Sequence, residues 1–220
     1  MIIAVDGSAA SGKGTLSRRL SKHFDLAHLD TGSLYRALAL QLLNTGKNAD
    51  DIDQSQIIKE SLRLDLSLCS APEIRTERVA STASQVAALP EVRKNLQAFQ
   101  RSFANDPPHG NGAVLDGRDI GSVVVPETPL KLFIDAKLEV RAERRFKELI
   151  NAGQSVMFGK VLDDMRQRDH RDRNRSIAPL RAAVGAKTID TSSMDADQVF
   201  AVALAFVEHA NGTKTQIKAI

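Results

Sequence analysis

The chain has no tryptophan, one tyrosine (Tyr35) and one cysteine (Cys69) in 220 residues. A lone cysteine excludes a disulfide framework and a cysteine metal site, and makes a reducing cytoplasm the expected location. No apolar run approaches the roughly eighteen residues that a membrane span needs, so no membrane partner is expected. Nothing basic precedes the first apolar run, so signal-peptide anatomy is not seen. The scarcity of aromatics counts against a diffuse nucleic-acid binder, which combines a broad basic surface with rings for base stacking. No exposed apolar helix stands out, and a monomer is expected. Repeats and low-complexity tracts are absent too. Otherwise the composition is that of a soluble globular protein, 42% hydrophobic and 26% charged, with room for one sizeable core and a small mobile segment.

What is present is concentrated at the start. Residues 1–5 form a β-branched apolar run that enters Gly7-Ser8-Ala9-Ala10-Ser11-Gly12-Lys13-Gly14-Thr15, and 16–23 reads as a helix. Strand, tight glycine-bearing turn and helix N-terminus, in that order, are what a P-loop requires. Gly7 and Gly12, with small residues between them, let the backbone curl so that N–H groups face an anion. The open amides of the first helical turn add to that field. Lys13 can reach β- and γ-phosphate oxygens. The hydroxyl that usually follows the lysine arrives one place late, at Thr15, where it can serve a phosphate or Mg²⁺. A glycine-rich turn without a ligand is the bland alternative, and it does not account for strand, lysine and helix together.

Residues 24–29 read as a second strand ending at Asp30, and Asp30 or Thr31 can cap the next helix, whose apolar face includes Leu34, Leu38 and Leu42. Arg36 in that helix's first turn opposes the dipole, which points to an anionic partner. Loop 46–53 ends at Asp53, a cap for a helix reaching 62 or 64. The alternation of Leu64, Leu66 and Leu68 suggests a strand remnant. A helical tract from Pro72 breaks at Leu89-Pro90 and carries Arg75, Arg78, Arg93 and Arg101, most of which are expected on solvated faces. A third strand, 113–115, runs into Asp116-Gly117-Arg118-Asp119, and a fourth spans 131–134. Helix 138–150 turns Arg141, Arg144 and Arg145 away from its apolar face, and a further helical piece covers 156–168. The fifth strand is 187–190, Asp195 caps the last helix, and a tail from 212 frays. Strand and helix alternate with short connections, which predicts an α/β fold with a five-stranded parallel sheet in a single domain over 1–220. Strand ends at the Gly7 loop, Asp30 and Asp116 put the chemistry at one edge of that sheet.

The formal net charge is only +3, but Arg166, Arg168, Arg171, Arg173, Arg175 and Arg181 crowd one stretch, interleaved with Asp169 and Asp172. Guanidinium forks match phosphate oxygens bidentately, so concentrated arginine suits a compact polyphosphate site. Phosphoryl transfer needs positioning and positive charge around the migrating group, with no covalent residue. Lys13 and the loop amides would hold the donor. Asp30 and Asp116 sit where a magnesium-bound water or an acceptor would lie. An NTP-hydrolysing switch or nucleic-acid-associated ATPase is the alternative of another class, but there is no second helicase-like block and no strand ending in paired acids.

The segments DTGSLYRALAL (30–40), EIRTERVASTASQVAALPEVR (73–93), LDGRDIGSVVVP (115–126) and RQRDHRDRNRSIAPL (166–180) extend the argument. Together with the loop 7–15 they resemble the bacterial cytidylate kinases, in the nucleoside monophosphate kinase family, over nearly the whole chain. The resemblance implies ATP with Mg²⁺, CMP and dCMP as acceptors, and no nucleic-acid partner; UMP or another small acceptor is the alternative within the class. It implies that Thr31, Tyr35, Arg36 and Arg101 hold the acceptor, that Arg118 and Asp119 read the cytosine ring, that Asp172 contacts the sugar, and that Arg175 reaches phosphate. It implies an acceptor-binding segment within 31–105 and a lid over 151–178, with Arg168 and Arg171 in the lid. Lys13, Arg118, Arg168, Arg171 and Arg175 are then the catalytic set, residues 7–15 the ATP site, and Thr15, Asp30 and Asp116 the metal site, the acids through water. Two departures stand out. Ser8 takes a place where many relatives have proline, with little effect expected. Only residues 64–73 span the place of an insert of short strands that such kinases usually carry, and the choice between ribose and deoxyribose turns on it.

Overall fold

A computed structural model describes residues 1–46, 52–210 and 212. Its five parallel strands are β1 (Ile2–Gly7), β2 (Ala27–Asp30), β3 (Ala113–Gly117), β4 (Lys131–Asp135) and β5 (Lys187–Asp190), in the order β2-β3-β1-β4-β5. The eight α-helices among the described residues are α1 (Lys13–Phe24), α2 (Thr31–Leu43), α3 (Gln54–Ser61), α4 (Glu77–Val86), α5 (Pro90–Asn105), α6 (Leu138–Asn151), α7 (Phe158–Asn174) and α8 (Ala196–Ala210). The predicted sheet and strand count hold. Most of loop 46–53 and the tail beyond 212 lie outside the described residues. Among those described, no helix is long and apolar enough to cross a membrane.

β1 is buried on both faces because helices cover both sides of a parallel sheet. Ile3 and Val5 pack with Leu16 and Leu20 of α1 and Val199, Ala203 and Val207 of α8. Ala4 faces the other way, toward Ala104, Leu115 and Ile120. A separate apolar cluster joins α2 (Leu34, Leu38, Leu42) to Ile57 of α3 and Val92 and Leu96 of α5. Tyr35, which lines the cleft described below, packs against that second core.

Several local expectations change. Asp25 adopts φ 50° and its N–H donates to Ser21 O, so the helix closes at Phe24 and β2 starts only at Ala27. Asp30 precedes α2 without a side-chain cap, and Thr31 Oγ1 donates instead to Asp116 O at 2.8 Å. Asp53 and Asp195 do cap: Asp53 accepts from Ser55 N, and Asp195 Oδ1 from Asp197 N and Gln198 N. The Leu64–Leu66–Leu68 alternation is no strand; Asp65 caps a 3₁₀ turn, Leu66–Ser70. The lid-side helix starts at Phe158 and runs through Asn174, well past the expected end.

Arg141 is the largest correction. The helical period put it on an outer face, yet it is only 2% exposed. Its Nε donates to Ala136 O at 2.7 Å, and Nη1 and Nη2 donate to the two oxygens of Asp169 at 3.1 and 2.6 Å. A buried charge needs a partner on every side, and here the partner fixes α7 against α6. Arg141→Ala would strand the Asp169 carboxylate, and urea unfolding is expected to show a loss of about 3–5 kcal/mol.

Candidate active site

The glycine-rich loop follows β1, the middle strand, where the connections leave toward opposite halves of the sheet; open α/β sheets bind ligands in the crevice at such a point. Gly7 carries φ 153°, and a Cβ there would lie 1.9 Å from Ile134 O. Only glycine lets the chain turn that close to β4. Gly12, φ 92°, then launches α1 from a left-handed backbone. Ala9, Ala10, Ser11, Gly12, Lys13, Gly14 and Thr15 line a cleft of about 1390 Å³, counted to its open mouth. Gly7 and Ser8 lie beneath the loop: Ser8 is fully buried and its hydroxyl donates to Asp135 Oδ1. Ser8 is therefore tied to the end of β4 by a hydrogen bond.

Across the cleft stand Thr31, Tyr35, Arg36, Arg118, Asp119, Arg168, Asp172 and Arg175. Together with the loop they bring four distant stretches of sequence to one cleft. Arg118 Nε donates to Asp172 Oδ2 at 3.0 Å, and Arg168 Nε lies 4.0 Å from the same oxygen. Burial works against the Asp172 carboxylate, but Arg118, Arg168 and Arg175 outweigh it and hold its pKa below the usual value. Burial lowers the Arg168 pKa to about 9, and repulsion from Arg118 adds to the shift. The cluster carries more positive charge than its acids neutralise. Arg168 Nε, Arg171 Nε and Arg175 Nη2 are buried with no hydrogen-bond partner. Buried donors left open cost free energy, and anionic oxygens are the ligands that satisfy them best.

Two predicted residues are placed elsewhere. Arg101 does not line the cleft: its Nε and Nη2 donate to Val124 O and Val123 O at 2.9 and 2.8 Å. Arg171 is also absent from the cleft lining, although its Nε is buried. Arg75, Arg93 and Arg145, which no motif singled out for the site, line the cleft as well. Arg93 is 8% exposed; it donates to Asp119 Oδ2 and to Ala87 O, and its guanidinium lies 5.7 Å from the Tyr35 ring centroid. Arg145 donates to Glu77 Oε1 and to Arg75 O, both at 2.9 Å, and so joins α6 to the N-terminus of α4. The sequence held one signal for Arg93. It shares a helix face with Leu96, Gln100 and Ala104, all buried, so two polar residues seven apart lie within a buried stripe.

Asp30 and Asp116 are register partners on adjacent strands, and both line the cleft with Thr15. Asp116 Oδ2 is 2.7 Å from His28 Nε2. Among the described residues no group of three or more His, Cys, Asp or Glu could hold a metal by itself. Two carboxylates and a hydroxyl fit an ion that keeps most of its waters and takes its other ligands from substrate phosphates, as Mg²⁺ does.

This fold and cleft define a P-loop phosphotransferase of the α/β class. Residues 3–209 match the family model described as "Cytidylate kinase", and the chain belongs to that family. It is 50% identical over 206 residues to a cytidylate kinase of Paramagnetospirillum magneticum, covering 94% of this chain and 97% of the relative. Against the cytidylate kinase of Azorhizobium caulinodans the identity is 49% over 212 residues, covering 96% and 100%. For that of Rhodospirillum rubrum it is 47% over 210 residues, covering 95% and 98%. Matches of this extent leave no room in these relatives for a long insert that this chain lacks. The short stretch 64–73 is therefore no peculiarity of this chain.

Proposed function

We propose that the protein transfers the γ-phosphoryl group of ATP to the 5′-phosphate of CMP or dCMP. The observation that carries this is a single cleft lined both by the glycine-rich loop and by Arg36, Arg118, Arg168 and Arg175, so that two groups of anion-binding residues share one space. Residues 9–15 and Lys13 take the donor phosphates, with Gly7 and Ser8 supporting the loop from below. Thr31, Tyr35, Arg36, Arg118, Asp119, Asp172 and Arg175 take the acceptor nucleotide. Arg93, paired with Asp119, takes the place on the acceptor side that the sequence reading gave to Arg101.

An oxygen of the acceptor's 5′-phosphate attacks Pγ in line, the bond from Pγ to the bridging oxygen of ADP breaks, and ADP leaves. The attacking oxygen is already anionic, so no side chain has to remove a proton. Lys13, Arg118, Arg168 and Arg175 hold the oxygens on which charge shifts. Mg²⁺, held through Thr15 and through water on Asp30 and Asp116, would neutralise donor phosphate charge. Residues 31–105 act as the acceptor-binding segment. Residues 151–178 act as a lid, with Arg171 inside it, and exclude water so that transfer outruns hydrolysis. The reading includes a cytoplasmic monomer, in keeping with the free thiol of Cys69 in a reducing compartment.

The test is a panel of CMP, dCMP, UMP and AMP, each incubated with ATP and Mg²⁺. Nucleoside diphosphate should form fastest from CMP and dCMP, with one ADP per product. Release of ADP without a second diphosphate would point to hydrolysis and end the proposal, and faster UMP turnover would reassign the acceptor.

A further inference from the structure

Asp6, the residue before Gly7, has no part in the chemistry described so far. It is 3% exposed at the C-terminal end of β1, a position that otherwise belongs to the apolar core. Its Oδ1 accepts from Ile120 N at 2.7 Å and its Oδ2 from Gly121 N at 2.8 Å. Those amides open the π-helical turn Ile120–Val124, which follows directly on Arg118 and Asp119. The first N–H groups of a helical turn need an acceptor, and the residue just before the turn usually supplies it. Asp119 holds that place but makes no cap, because its carboxylate faces Arg93. At the other end of the turn, Arg101 and Gln97 donate to the carbonyls of Val123 and Val124.

We propose that Asp6 is a positioning residue for the acceptor: it caps the 120–124 turn from the donor-loop strand and so leaves Asp119 free to pair with Arg93 at the cleft. One carboxylate then sets the distance between the loop that follows Gly7 and the pair Arg118–Asp119. Burial raises the Asp6 pKa to about 7 even against its two amide donors. An ionised carboxylate at this place lowers stability compared with an apolar residue, which argues for a purpose other than core packing.

The inference rests on the acceptor roles of Arg118 and Asp119 given above. The experiment is Asp6→Asn in the full chain, with KM measured separately for CMP and for ATP. The amide keeps shape and one oxygen but turns an N–H donor toward a backbone N–H. KM for CMP should rise about tenfold or more, the effect of one lost charge-assisted hydrogen bond. KM for ATP should stay within about threefold, since donor contacts that do not change leave that constant alone. A purely structural role would lower the melting temperature without splitting the two constants. A folded variant in which neither KM moves, or in which KM for ATP rises as much as or more than that for CMP, overturns the proposal. Amide exchange in the wild-type protein provides a check that needs neither substrate nor a folded variant. Ile120 and Gly121 should exchange far more slowly than open-loop amides, and fast exchange there overturns the proposal. If the wild type phosphorylates no cytidine nucleotide, the functional reading fails, while the exchange result still decides whether Asp6 holds the turn.

Discussion

Lys13→Ala is expected to lower kcat for phosphoryl transfer by about 10²–10³, the usual cost of removing one preorganised charge from a developing oxyanion. The lysine is held for this task at some expense. Part of it is accessible to the cleft, but its ammonium lies deep enough that desolvation lowers its pKa from 10.5 to about 7. Arg118 pushes the same way, and Asp116 and Asp30 oppose it. In the free enzyme the charged form is therefore lost as pH rises through about 7. The donor's phosphates favour the charged form, so binding ATP above that pH must take up a proton. The pH dependence of kcat/KM reports the free enzyme and that of kcat the complex. In the wild type, kcat/KM for ATP should fall above about pH 7 while kcat stays level, and in Lys13→Ala that alkaline limb should vanish. A variant with wild-type kcat/KM for every acceptor would show that the lysine does not touch the donor.

The fold was legible where short-range pattern determines structure. Short runs that end at an aspartate marked all five strands, and the glycine spacing before Lys13 marked the loop that organises them. The site was legible where a residue type clashes with its local element. Arg36 opposes the dipole of α2, and it does line the cleft. What escaped were the residues whose burial depends on distant segments. Arg141 and Arg145 lie one helical turn apart and look like solvated residues of an amphipathic helix, yet one holds Asp169 and the other Glu77. Their partners lie outside α6, so no period along that helix could reveal them. Asp6 carried no signal of its role, because the amides it accepts from are more than a hundred residues away. The alternation at 64–68 misled for the opposite reason. Period-two spacing over so few residues does not separate a strand from a 3₁₀ turn, and the Asp65 cap decided it.

Arg175→Ala should lower kcat/KM for CMP by about 10²–10³, combining loss of an acceptor-phosphate contact with loss of charge at the migrating group. Arg175 follows the last residue of α7, its N–H donating to Arg171 O. Its Nε is fixed on Ala178 O at 2.6 Å, which aims the rest of the guanidinium, while Nη2 is buried without a partner. Burial and the nearby charge of Arg93 both press its pKa downward, and Asp119 and Asp172 offset them only in part. A guanidinium oriented at one nitrogen and left open at another is preorganised for an anion, with little rotamer freedom left to lose on binding. Arg175→Lys keeps the charge but not the planar fork, and should fall between wild type and alanine. Arg166 lies on the same helix and supplies the control. Its side chain is 60% exposed and pairs with Asp163 at 2.7 Å, so Arg166→Ala should stay within about threefold of wild type, as exposed pairs do. The contrast between two arginines nine positions apart separates a convergent site from a generally basic helix. Equal, small effects of Arg175→Ala and Arg166→Ala would mean that the charge on α7 serves solubility rather than catalysis.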